Sequence, residues 1–177
     1  LTDGPRFLVD NNVGWGVGDN MLNGSIVVNG NASAIPGVAI RGAEIVVKGN
    51  IGSRAGQVMK AGTLLACGNA SFMAGYMMYG GRLIILGNSG EKVGQDMTGG
   101  DIYVAGRIGE MGTDAMLIDL PEKERDEILA FLDKYQIPFK GSFQKIVNAG
   151  KKLRYPKTEP RRRAIPFFES FADNAYW

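Results

Sequence analysis

Residues 41–59 read RGAEIVVKGNIGSRAGQVM, residues 60–78 read KAGTLLACGNASFMAGYMM and residues 79–97 read YGGRLIILGNSGEKVGQDM. Placed under one another, the three stretches align without insertion or deletion. The same nineteen-residue frame runs back over 22–40, forward over 98–116 and, less regularly, over 3–21. A fixed period of this length marks a repeat architecture and outranks local propensity in deciding the fold.

The columns of the alignment are strict. One holds Phe7, Ile26, Ile45, Leu64, Leu83 and Ile102, and two places on stand Val9, Val28, Val47, Ala66, Ile85 and Val104. Each unit closes on Met21, Ile40, Met59, Met78, Met97 or Met116. One glycine column is Gly30, Gly49, Gly68, Gly87 and Gly106, and another is Gly18, Gly37, Gly56, Gly75 and Gly94. Gly52 and Gly90 belong to a third glycine position, and Asn31, Asn50, Asn69 and Asn88 follow the first column until Arg107 breaks the series.

Each unit carries about four consecutive apolar residues rich in β-branched types, a strand length rather than a helix length. Alternate columns then point inward at period two, and the glycines turn the chain by accepting positive φ. Such a short unit leaves no room for a strand, a turn and a long helix. Stacking each unit in register on the last predicts a mainly β protein, a single-stranded parallel β-helix of about six rungs. At ~4.8 Å per rung the rod is roughly 29 Å long. Unbranched methionine suits its uneven interior. The asparagines predict a side-chain ladder in which each amide bonds its neighbours above and below.

A further column, Leu8, Val27, Val46, Leu65, Ile84 and Tyr103, is apolar but faces outward. A strand apolar on both faces is normally covered on both, so something should lie along this flank. The chain's own C-terminal helix is the simpler cover and a partner protein the alternative.

Composition changes near Ile118. Of the 26 glycines, 24 precede residue 117, and the net charge moves from −1 over 1–116 to +3 over 117–177. The division expected is a rod over 1–117, a helical cap or flank over 118–150 and an extended basic, aromatic tail over 151–177. A helix is expected over 119–135, with Pro121 in its first turn, Glu122 and Glu124 at its positive end and Lys134 at its negative end. Ile128, Phe131, Leu132 and Tyr135 form its apolar stripe. A short second helix is expected over 138–150, with Phe143, Ile146 and Val147 on one face and Gly150 as its cap. Pro156, Pro160 and Pro166 favour an extended arm, whose Phe167, Phe168, Phe171 and Trp177 should dock on the rod or on a partner. The open first rung should abut more β-helix, another domain or a second subunit.

The chemistry-bearing residues are sparse. There is no histidine, which removes the usual general base and zinc ligand. Cys67, the lone cysteine, excludes an internal disulfide and fits a reducing, cytoplasmic setting. It shares a mixed column with Asn29, Lys48, Leu86 and Ala105, which reads as a surface thiol without an activating base. No glycine cluster opens a helix in a βαβ unit, so no dinucleotide or phosphate loop is expected. Glu91, Asp96, Asp101, Glu110 and Asp114 form no repeated carboxylate column. From Lys140 to Arg163 there are nine basic residues and one acid. This reads as a solvated extension, with an anion or nucleic-acid patch as the sharper alternative. Only Tyr155 stands among the later basics to stack a base, which makes nucleic acid the weaker choice. No run has the length of a membrane span and no secretory signal opens the chain. No catalytic, cofactor-binding or metal-binding residue is predicted in this chain.

The pattern G-x-x-G-x-x-x-G at Gly49, Gly52 and Gly56, and again at Gly87, Gly90 and Gly94, resembles the GXGXG repeat of the C-terminal domain of the glutamate synthase large chain. The stretches 79–87 (YGGRLIILG) and 97–104 (MTGGDIYV) carry the same resemblance. Residues 143–147 and 151–153 are similar to the segment after the repeats in stand-alone subunits of archaeal-type glutamate synthases and N-methylglutamate synthases. A formylmethanofuran dehydrogenase chain with the same repeat is the rival. The resemblance implies a right-handed β-helix with a non-catalytic, positioning role. It places flavin and iron–sulfur centres on partner chains, a flavin-dependent synthase and a glutamine amidotransferase, and is compatible with a homo-oligomer. Ser33 and Ser71 depart from the pattern by replacing its middle glycine, and Gly112-Thr113 disturbs the last unit.

Overall fold

A computed structural model describes residues 4–150. The tail, and with it the docking expected of Phe167, Phe168, Phe171 and Trp177, lies outside the described residues.

Six parallel strands form the rod: β1 (Arg6–Val9), β2 (Ser25–Val28), β3 (Arg41–Val47), β4 (Ala61–Ala66), β5 (Arg82–Ile85) and β6 (Asp101–Val104). Pairing runs Phe7–Ile26–Ile45–Leu64–Leu83–Ile102, so the sequence column is the structural register. A second ladder of bridges, from Val13 through Ala32, Ile51, Ala70 and Ser89 to Ile108, closes the opposite wall. Met59, Met78 and Met97 lie buried in the core between the walls, beside Ile45, Leu64 and Leu83.

The two glycine columns have different physical reasons. In the coil of residues 41–59 two turns overlap: the N–H of Gln57 donates to the Arg54 carbonyl and that of Met59 to the Gly56 carbonyl. Gly56 (φ +68°) and Val58 (φ +48°) therefore occupy the third turn position, which requires positive φ. The column of Gly49 and Gly68 is glycine for lack of space instead. A Cβ there would stand 2.4 Å from the side-chain oxygen of Asn31 or Asn50 in the preceding coil. The asparagine ladder differs correspondingly from expectation. Each side-chain oxygen accepts the backbone N–H of the next coil, Asn50 to Asn31 at 2.7 Å and Asn69 to Asn50 at 2.8 Å, rather than bonding amide to amide. Asn31 Nδ2 to Asn12 Oδ1 is the described exception, at 3.1 Å. Close approach of the glycine backbone brings the N–H within reach of the side-chain oxygen.

The stack ends in two strands that the repeat does not anticipate. The chain leaves the last coil as β7 (Ala115–Ile118), and Met116, expected to continue the inner column, is 43% exposed. Further on, β8 (Gln144–Asn148) inserts antiparallel between β6 and β7. This strand replaces the short second helix expected over 138–150. The edge of β6 offers unpaired N–H and C=O groups, and only an extended segment satisfies them. Ile146 pairs with Ile102 and is fully buried as the lid of the inner core. Gly150 (φ +72°) ends a turn in which its N–H donates to Asn148 Oδ1, and is no helix cap.

Between β7 and β8 lies helix α1 (Glu122–Lys134), shorter at both ends than the expected 119–135. Pro121 is its extended N-terminal boundary, and Gln136 (φ +55°) turns the chain out of it. The N–H of Ile137 donates to the Leu132 carbonyl and that of Gln136 to the Asp133 carbonyl, a Schellman ending with glutamine where glycine is usual. Ile128, Phe131 and Leu132 pack on Val46, Leu65, Ile84 and Tyr103. The outward apolar column is thus covered by the chain's own helix, and each fully buried side chain contributes about 1.5–3 kcal/mol. Among the described residues no helix is long and apolar enough to cross a membrane.

Candidate functional site

Two polar clusters fix α1 along the rod. At its start, Lys145 of β8 is 6% exposed and places Nζ 2.6 Å from Glu124 Oε2 and 3.0 Å from Asp101 Oδ1. The Tyr103 hydroxyl donates to the same Glu124 oxygen at 2.8 Å. One lysine therefore ties together β6, β8 and α1. Burial pushes the Glu124 carboxyl up, but the hydrogen bonds from Lys145 and Tyr103 outweigh it and hold it below its ordinary range. Burial would lower the Lys145 ammonium, and its two carboxylate partners reverse that and raise it. The Tyr103 hydroxyl is raised by burial and by the carboxylate it bonds.

At the far end of α1, Lys134 Nζ lies 2.6 Å from Glu44 Oε2 on β3, and the Tyr135 hydroxyl donates to the same oxygen. Burial opposes ionisation of Glu44, yet these two donors bring its carboxyl below the ordinary range. Ten residues separate Glu124 from Lys134, about 15 Å of helix. Their partners on β6 and β3 are three strand steps apart, about 14 Å. The helix length thus matches four rungs and stops there.

Beyond that point no described segment covers the outer flank of the rod. Val27 is half-buried, Leu8 is 69% exposed and Trp15 is 79% exposed, with Phe7 and Leu22 also exposed. A cleft of about 380 Å³ opens where α1 ends, walled by Phe7, Leu8, Val27, Glu44, Lys134 and Tyr135. The outer edge of β1 is unpaired among the described residues. This open end of the rod is the candidate interaction site. The repeat marks this coil as the first rung, but Trp15, off the main columns, carried no signal.

The residues singled out from sequence are dispersed by the fold into structural work. Gly30, Gly37, Gly49, Gly52, Gly56, Gly68, Gly75, Gly87, Gly90, Gly94 and Gly106 serve turns or close coil contacts, and Asn31, Asn50, Asn69 and Asn88 bind the coils to one another. Cys67 is half-buried beside Leu86, Ile137 and Phe139 rather than on an open surface. Burial raises its thiol pKa, against a smaller lowering from Lys48, which disfavours the thiolate. Asp101 is engaged by Lys145. Lys145, counted within the basic stretch from Lys140 to Arg163, is spent on that buried pair. The stretch beyond Gly150 lies outside the described residues. Among the described residues no group of three or more His, Cys, Asp or Glu side chains is placed to hold a metal ion. The two clusters could have been suspected from Glu124 and Lys134 standing ten residues apart on one helix, but their partners lie 21 and 90 residues away. No protein-family model matches the chain, and no curated protein matches it.

Proposed function

We propose that this chain is a non-catalytic structural subunit of a glutamate-synthase-type oxidoreductase, a cytoplasmic complex in which it positions a glutamine amidotransferase chain and a flavin-dependent synthase chain. The observation that carries the reading is the bare end of the rod. Large apolar groups on an otherwise well-packed molecule are a contact surface, and the unpaired edge of β1 is a template for added β-structure. Phe7, Leu8, Trp15 and Leu22 supply that surface. The glycine pattern at Gly49–Gly56 and Gly87–Gly94 supports the choice of complex by resemblance. Flavin and iron–sulfur groups belong to the partners in this reading, and the rod contributes a fixed separation between their sites.

Affinity isolation of the full chain from its native host tests the proposal by identifying what accompanies it. An amidotransferase chain together with a flavin-binding synthase chain is the expected result, and replacing Leu8 and Trp15 by aspartate should release at least one of them. A pterin-dependent molybdenum or tungsten chain would instead indicate the formylmethanofuran dehydrogenase type. Turnover of a substrate by the purified chain alone would overturn the structural role.

A further inference from the structure

The opposite end of the rod carries a second open edge with a different character. In the ladder of β7 and β8 the N–H of Ala149 donates to the Asp114 carbonyl at 2.8 Å. Hydrogen-bonded pairs alternate along an antiparallel ladder. Met116 and Ile118 therefore bond inward to Val147 and Lys145, and the N–H and C=O of Leu117 face the outer edge. Met116, Leu117 and Ile118 are all exposed there. Beside them a shallow cleft of about 550 Å³ is walled by Leu117, Ile118, Leu120 and Phe143.

Charge distinguishes this edge from the first. Residues 108–122 contain no Lys or Arg and four carboxylates, Glu110, Asp114, Asp119 and Glu122. None of the four forms an ion pair among the described residues. The chain leaves the described fold at Gly150, one residue after the bond from Ala149 to Asp114. Its continuation over 151–163 holds seven basic residues and one acid, and 164–171 reads AIPFFESF.

We infer that residues 165–171 lie extended along the outer edge of β7, held by the basic stretch 151–163 against the carboxylates that flank that strand. Reach is ample. Thirteen residues span up to about 45 Å, and β7 lies about 5 Å beyond β8, where the chain exits. An added strand would take up the free Leu117 peptide groups and set Ile165, Phe167 or Phe168 on the exposed apolar side chains, the general mode of strand addition to a sheet edge. A second copy of the rod is the poorer occupant, because it would bring the same four carboxylates against themselves. This inference does not rest on the proposed complex, since it concerns contacts within one chain.

Hydrogen exchange at the Leu117 amide of the full chain tests it, with Ile84 in mid-rod as the reference for an intact fold. Leu117 should be protected at least ~10-fold more in the native chain than in full-length Phe167→Ser/Phe168→Ser/Phe171→Ser, with Ile84 unchanged. Arg161→Glu/Arg162→Glu/Arg163→Glu should lower the protection in the same direction, and added salt should mimic it. Equal exchange of Leu117 in the native chain and the aromatic variant would overturn the inference. So would protection that appears only as the mass doubles with concentration. As a second measurement that needs no tail variant, a photo-cross-linker at position 117 should join to residues 165–171 of the same chain. Cross-links formed solely between chains would refute the assignment.

Discussion

Phe7 and Ile102 stand in the same inward column, and Leu8 and Tyr103 in the same outward one, yet the first of each pair is exposed and the second buried. The strands that carry them, β1 and β6, have the same length and neighbouring coils of the same design. What differs is what lies across them. β8 closes the edge of β6 and α1 lies on its outer face, while α1 ends at β3 and leaves β1 uncovered among the described residues. The repeat thus sets the direction of a side chain, and segments far along the chain set whether it meets water. Among the described residues, β8 and α1 cover the last parallel strand and nothing equivalent covers the first.

The sharpest way to test that contrast is to truncate one column at two heights. Leu65→Ala removes a side chain fully buried beneath α1 and should cost about 2–5 kcal/mol in denaturant unfolding. Leu8→Ala, in the same column at the bare end, should change stability by no more than about 0.5 kcal/mol. Similar losses at both positions would mean that the first rung is covered within the chain itself.

Next in size is the completed end. Lys145→Met leaves Asp101 and Glu124 facing each other without their shared cation and should destabilise by about 2–3 kcal/mol, the carboxylates' partial exposure softening the loss. Amide exchange should then quicken in β8 and α1 before it does in β4. Uniform quickening along the rod would show that the lysine does not bind the cap locally.

The helix contacts also make the covered region sensitive to acid. Glu44 and Glu124 titrate below their ordinary value of 4.5 in the folded chain, so the unfolded chain binds more protons in that range. Their stabilisation is present above pH 4.5 and is lost as pH falls through the lower folded values. Glu44→Gln should flatten the acid limb of a stability–pH curve, and an unchanged limb would remove Glu44 from the account. The smallest effect should be a gain. Gln136→Gly relieves a left-handed residue at the end of α1 and should add about 1 kcal/mol. A loss instead would show that the Gln136 side chain holds the helix end in place.

Much of this was legible beforehand. The inward columns, the methionine interior and the covered outward column follow from the period alone, and α1 from its apolar stripe and terminal charges. The second helix was misread because Phe143, Ile146 and Val147 have helical spacing, and three residues cannot distinguish a helix face from a short strand. The exposed edge of β6, more than thirty positions earlier in the chain, decided between them. Trp15 obeys no column and shows its exposure only in three dimensions.

The amino-acid sequence by itself determined the coil, because identical residues recurring every nineteen positions find their like only by stacking in register. The tertiary structure alone decided which coils are covered, where α1 stops and which carboxylates meet Lys145 and Lys134. Those contacts join residues from 21 to 90 positions apart, and no local period carries that information.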